Sequence, residues 1–211
     1  RSTLFPYTTL FRSLADGGNV AVVQTPHAGR VVVKSMRAPR HPARYRLLGA
    51  LAGLLGAPYL KTAPLLGGAA GQALEVRRLR ALHAAGVRVP QVLHVAPDHF
   101  VMQWLGPGDL AAALRQRHPQ SAALWREGGE ALTRIHCAGQ CLSQAFARNM
   151  IVSETGALAG MIDFEDDPLQ VMPLADAQAR NWLDYLHSTL WLAPLPRSEE
   201  HTSELQSLGR I

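Results

Sequence analysis

Four residues of this chain have types and spacing that could do chemistry together. Lys34 closes the β-branched run Val31-Val32-Val33-Lys34, and Glu75 stands in a stretch that also carries Arg77, Arg78 and Arg80. Asn149 opens the apolar run Asn149-Met150-Ile151-Val152. Asp163 closes another, Met161-Ile162-Asp163-Phe164-Glu165, fourteen residues further on and across Glu154-Thr155-Gly156. Singly, each has an ordinary reading: a solvated strand end for Lys34, a helix surface charge for Glu75, a turn residue for Asn149. Together they offer one cationic group, on Lys34, and hard oxygen donors on Glu75, Asn149 and Asp163.

Charge is distributed to match. The chain has 21 Lys/Arg against 16 Asp/Glu. From Leu14 to Ala96 there are 11 basic and 2 acidic residues, and from Pro97 to Pro196 there are 6 basic and 11 acidic. A basic half facing an acidic half suits a cleft where an anion meets metal ions. The overall excess is mild for a nucleic-acid binder, and no nucleic-acid partner is expected.

These residues need elements to position them. Asn19 to Gln24 and Arg30 to Met36 read as a β-hairpin around Thr25-Pro26-His27-Ala28-Gly29. Leu74, Leu79 and Leu82 mark a helix from about Gln72 to Ala85, with Gly86 as its stop. Val89 to Val95 and His99 to Trp104 read as two more strands. After Gly106-Pro107-Gly108, the composition from Asp109 to Ala138 predicts helix, with Leu110, Leu114, Leu124, Leu132 and Ile135 as its apolar stripe. A second hairpin follows from Asn149 to Ile162, then a helix from Leu174 to Leu192 whose Trp182, Tyr185 and Trp191 read as core. The expectation is an α+β fold: a small sheet with one main helix, a hinge, and a helical half with an embedded hairpin.

The order Val-Val-Val-Lys34, Glu75, Ile135-His136 followed by Asn149, and Asp163-Phe164-Glu165 resembles the protein-kinase-like superfamily, from about Val20 to Leu192. By size the chain is similar to its small atypical members: RIO kinases, the KEOPS-complex kinase family and bacterial lipopolysaccharide core kinases. The resemblance implies a bilobal protein-kinase-like fold, with an N-lobe over residues 14–104 and a C-lobe over 105–196. It implies ATP and Mg²⁺ as cofactors, Lys34 holding phosphates, Glu75 pairing with Lys34, and Asn149 and Asp163 as metal ligands. Two departures stand out. Family enzymes place H-G-D or H-R-D five residues before the metal asparagine, where this chain has Leu142-Ser143-Gln144. A neutral amide cannot act as a general base, although Gln144 can orient a hydroxyl. Glu165 replaces the usual glycine after Asp163-Phe164, and Asp166 and Asp167 follow it. No G-x-G-x-x-G precedes Lys34; Asp16-Gly17-Gly18-Asn19 is the nearest stretch, and it also reads as an ordinary turn.

The implied activity is ATP-dependent phosphoryl transfer to an acceptor that the sequence leaves open: lipopolysaccharide or another cell-envelope glycolipid, a protein or a small molecule. The alternatives are a pseudokinase scaffold that binds nucleotide without catalysis, and a peripheral membrane protein using residues 39–61. That segment has Arg40, Arg44 and Arg46 ahead of a Leu-rich body and reads either as a helix packed on the first half or as an interfacial anchor. A cytoplasmic location is expected, with contact to the inner membrane face as its variant. Cys137 and Cys141, four apart, suggest core packing in a reducing compartment; beside His136 they match no common zinc spacing. Residues 1–13 and 197–211 resemble translated sequencing adapter, and such tails are expected to make no specific contacts with the core.

Overall fold

The computed structural model describes residues 19–38, 61, 63–117 and 119–193. Both adapter-like tails, the glycines of Asp16-Gly17-Gly18 and all of the 39–61 segment but Lys61 lie outside the described residues. The fold is mixed α+β, with a four-stranded antiparallel sheet, a three-stranded antiparallel sheet and four α-helices among the described residues. None of the described helices is long and apolar enough to cross a membrane.

The first sheet begins with β1 (Val20–Thr25) and β2 (Gly29–Ser35), paired from Val20↔Lys34 to Thr25↔Gly29. The turn is closed by Thr25, whose Oγ1 accepts from Ala28 N and donates to Gly29 O. Alternation puts Val23, Val31 and Val33 on one buried face with Val101. Parity therefore turns Lys34 to the opposite face from Val31 and Val33. Helix α1 (Gly68–Ala84) follows, then β3 (Val92–Val95) and β4 (His99–Gln103), giving the strand order β1-β2-β4-β3. α1 buries Leu74, Glu75, Val76, Leu79 and Leu82. It stops where the sequence predicts: Gly86 adopts φ 76°, donates to His83 O, and lets Val87 N reach back to Leu82 O, a closure that satisfies the last carbonyls.

The predicted continuous helix over Asp109 to Ala138 is broken. α2 (Leu110–Arg115) and α3 (Ser121–Cys137) are separated by a turn in which Arg117 takes φ 50° ahead of Pro119. Pro119 lacks the N–H an uninterrupted helix would need. Gly108 and Asp109 form a short strand, β5, beside β6 (Met150–Val152), which pairs with β7 (Leu158–Met161). Asp109 then caps α2, its Oδ1 accepting from Ala112 N at 2.8 Å. The last helix, α4 (Leu174–Thr189), ends three residues short of Leu192.

One cluster of buried apolar side chains joins the two halves. It runs from Val76, Leu79, Phe100 and Met102 through Phe164 to Leu110, Leu132, Met150 and Tyr185. Of the three aromatics assigned to the core, Tyr185 is buried and Trp182 packs on the cluster, but Trp191 is 88 % exposed. It lies beyond the end of α4, where the helical spacing that linked it to Trp182 no longer applies. The cysteines also divide: Cys141 packs with Met172 and Ala177, while Cys137, in the last turn of α3, faces solvent.

Candidate functional site

The site is built around a buried lysine. The antiparallel pairing of β2 carries Lys34 across the sheet opposite Val20 and Phe100. Its side chain is 8 % exposed. Burying an ammonium requires anionic partners, and three supply them. Lys34 Nζ donates to Glu75 Oε1 at 2.7 Å, lies 2.9 Å from Glu165 Oε1 and 3.7 Å from Asp163 Oδ1. Glu165 is also held from the other side, its Oε2 accepting from Arg37 Nη1 at 2.8 Å.

Three carboxylates around one lysine and one arginine leave an excess of negative charge, and burial and charge both act on the titration of the pair. Burial lowers the Lys34 pKa, but Glu75, Glu165 and Asp163 outweigh it and hold the ammonium above its ordinary value. Burial pushes Glu75 up, and repulsion from Glu165 and Asp163 adds to it against the pull of Lys34. The three carboxylates outnumber the lysine and the arginine, and a cation entering beside Asp163 would offset that surplus.

Asp163 follows β7 with φ 71°, a left-handed conformation that costs a non-glycine residue energy and that Asp tolerates better than most. The Asp163 carboxylate is left partly exposed, 3.7 Å from Lys34 Nζ, while Phe164 is fixed in the core. Asn149 is tied to the same strand end, since its carbonyl accepts from Ile162 N at 2.9 Å. Its amide Nδ2 donates to Gln144 O at 3.2 Å, which fixes the side chain and turns Oδ1 away from that carbonyl. Gln144 itself is half-buried, and its Oε1 accepts a long bond, 3.5 Å, from Arg148 Nη2. The structure therefore brings Lys34 together with Glu75 and Asp163, and links Asn149 to Ile162, next to Asp163, and to Gln144 by hydrogen bonds.

The loop from Cys141 to Asn149 is anchored by residues the sequence reading passed over. Asn181, fully buried in α4, accepts from Leu142 N at 2.8 Å and donates to Leu142 O at 3.0 Å. Arg180 donates to Ser143 O, and Ser143 Oγ donates to Asp166 O. From α1, Arg78 donates to both Cys141 O and Asp167 Oδ1. The helix that carries Glu75 thus also ties the 141–149 loop to the segment after Asp163. Beside Lys34, a small pocket opens between the end of β2 and the start of α1, bordered by Asn19, Arg37, Gly68, Gln72, Glu75 and Glu165.

The oxygen donors present fit a divalent cation in chemistry: a carboxylate on Asp163 and an amide oxygen on Asn149, next to an excess of negative charge. Lys34 and Arg37 offer the matching cationic groups for phosphate oxygens. Among the described residues no group of three or more His, Cys, Asp and Glu side chains is placed to hold a metal ion by itself. No protein-family model matches the chain, and no curated protein matches it in sequence.

Proposed function

We propose that the chain is an ATP-dependent phosphotransferase of the atypical kinase type, with its two halves as the lobes of a bilobal kinase-like fold. The observation that carries this reading is the buried Lys34 ammonium, bonded to Glu75 of α1 and within 3.7 Å of Asp163 at the end of β7. A lysine seldom stays buried between a helix and a hairpin end for stability alone, because apolar residues would fill that space at no electrostatic cost. Mg²⁺–ATP, when bound, supplies the phosphoryl group and part of the charge neutralisation. Lys34 binds phosphate oxygens, Glu75 holds Lys34 in place, and Asn149 and Asp163 hold the cation. Gln144 orients the acceptor hydroxyl, with no carboxylate there to take its proton. Phosphoryl transfer depends mainly on positioning and electrostatics, so the amide is compatible with turnover. Candidate acceptors are a cell-envelope glycolipid such as lipopolysaccharide, a protein or a small molecule.

A second reading, a pseudokinase scaffold, draws support from Glu165, whose carboxylate sits on the ammonium that phosphate would use. One labelled-ATP assay with a cell-envelope extract separates the two. Under the phosphotransferase reading, Lys34→Ala and Asp163→Ala lose transfer, while Gln144→Ala lowers it by ~10 to 100-fold. Background transfer from the wild type and all three variants rejects catalysis on that acceptor set. Nucleotide binding that persists in the wild type and falls in Lys34→Ala would then favour the scaffold. The membrane reading rests on residues 39–61, and sedimentation with anionic liposomes at two salt concentrations tests it.

A further inference from the structure

Arg148 stands between Gln144 and Asn149 in the loop that carries both. The backbone there is held firmly. Ala147 N donates to Ser188 Oγ of α4 at 2.9 Å, and Asn149 N donates to Phe146 O at 2.8 Å, closing a single 3₁₀ turn over Ala147–Asn149. Ala145, Ala147 and Asn149 are buried, which leaves the intervening Phe146 half-buried and Arg148 exposed. An exposed arginine is thus mounted on a fixed turn, one residue from the asparagine of the site.

Its side chain lies back along the loop. The guanidinium carbon is 4.3 Å from the centre of the Phe146 ring, and Nη2 donates the long bond of 3.5 Å to Gln144 Oε1. An aromatic face attracts a cation and keeps it in place, while the remaining N–H groups of the guanidinium have no partner among the described residues. Arg148 also makes no ion pair there. Asp184 of α4 feels its charge together with that of Arg180 and His187, without pairing with it. Lys34, Arg37 and Arg78 are, by contrast, each paired with a carboxylate.

We propose that Arg148 determines acceptor specificity by binding an acidic group, a carboxylate or a phosphate monoester, that lies close to the acceptor hydroxyl. The inference rests on the phosphotransferase reading, in which Gln144 orients that hydroxyl. Because the guanidinium and the Gln144 amide are in contact, one small region of the acceptor meets both: its hydroxyl at the amide, its acid at the arginine. Charge-assisted bonds from a guanidinium to carboxylate or phosphate oxygens run about 2.7–2.9 Å and form in parallel pairs. Such an acid therefore gains far more than the long bond to a neutral amide provides, and the planar fork selects it over a plain hydroxyl. An acceptor without the acid leaves the arginine with Gln144 and Phe146 alone and binds more weakly.

The test measures labelled-ATP transfer by the full chain to a cell-envelope extract in three forms. One is untreated, one has its carboxylates amidated with carbodiimide and methylamine, and one has lost its phosphate monoesters to alkaline phosphatase that is then removed. With the wild type, at least one treatment should raise the half-saturating amount of extract roughly tenfold, the loss expected for one charge-assisted contact. The treatment that does so identifies the acid. Arg148→Met should show the same rise on untreated extract and no further rise on the treated one, and Arg148→Lys should recover part of it. KM for ATP should keep its wild-type value in both variants, a split that a merely structural defect would not give. Arg148 is exposed, so circular-dichroism melts should superimpose. An Arg148→Met enzyme that saturates like the wild type on untreated extract, or that loses affinity for ATP as well, overturns the proposal. So does a wild type indifferent to both treatments. Transfer absent from the wild type removes the phosphotransferase reading and this proposal with it, an outcome distinct from a working enzyme whose acceptor needs no acid.

Discussion

Glu165 has the most consequential side chain beside the four residues of the original pattern. It takes the place of a glycine in the pattern the chain resembles, and its two oxygens bridge Lys34 and Arg37 at 2.9 and 2.8 Å. A phosphate arriving at Lys34 must compete with that carboxylate. Under the proposed function, Glu165→Gln keeps the shape, removes the charge and frees both cations. Mg²⁺–ATP should then bind roughly threefold to tenfold more tightly by titration calorimetry, the range expected for releasing one partly buried ion pair. Weaker binding would mean that Glu165 helps to hold the ligand rather than compete with it. Lys34, Asn149 and Asp163 were legible because local patterns mark them: a valine run, a hairpin start, an apolar strand end. Arg37, Arg78, Arg180 and Asn181 were not, because each acts on groups far away in sequence. Asn181 reaches Leu142 from 39 residues away, and Arg78 reaches Asp167 from 89. No spacing rule encodes such a bond.

Among the elements, α4 does two jobs that substitutions can separate. Its buried Asn181 satisfies both the N–H and the C=O of Leu142. Asn181→Ala leaves those groups unpaired in the interior and should cost about 2–4 kcal/mol, read by urea denaturation. Asn181→Asp retains an acceptor for Leu142 N and loses the donor, so its effect on the loop is a direct probe of the second bond. Tyr185, one turn on, packs where α3 has Gly128. A Cβ there would fall 2.9 Å from the Tyr185 hydroxyl and 3.1 Å from its ring. Gly128→Ala should therefore destabilise by about 1–3 kcal/mol through overpacking, although alanine is the better helix former. A stabilised variant would show that α3 and α4 can separate freely. The sequence disclosed that α3 and α4 exist but not this close approach, since Gly128-Gly129 inside a helical stretch signals only a weak helix. Likewise, the break between α2 and α3 hangs on Pro119, whose effect the overall helical composition concealed.

At the scale of the molecule, the halves meet at residues 163–167, and each side chain there reaches a different part. Phe164 enters the common core, Glu165 joins β2, Asp167 joins α1 through Arg78, and Asp166 turns inward. Asp166 is 5 % exposed, and its Oδ1 has no partner among the described residues. Burial raises its pKa to about 6, against the opposing pull of Arg180, Ser143 and Arg78. A carboxyl whose folded-state pKa exceeds its unfolded value of 3.8 binds a proton more readily in the folded chain. Its contribution to stability is complete below about pH 4 and declines as pH rises through about 6, where the unfolded carboxylate is already ionised. The shift corresponds to about 3 kcal/mol as an upper bound. Asp166→Asn keeps the volume and cannot ionise, so it should match the wild type near pH 4 and exceed it in stability near pH 7.5. Urea unfolding across that interval reads the difference directly, with the wild-type loss concentrated between pH 4 and 6. If the variant is less stable at pH 7.5, the ionised Asp166 is instead favourably held by Arg180 and Arg78. The seam would then be fastened by a buried ion network rather than strained by an unpaired charge.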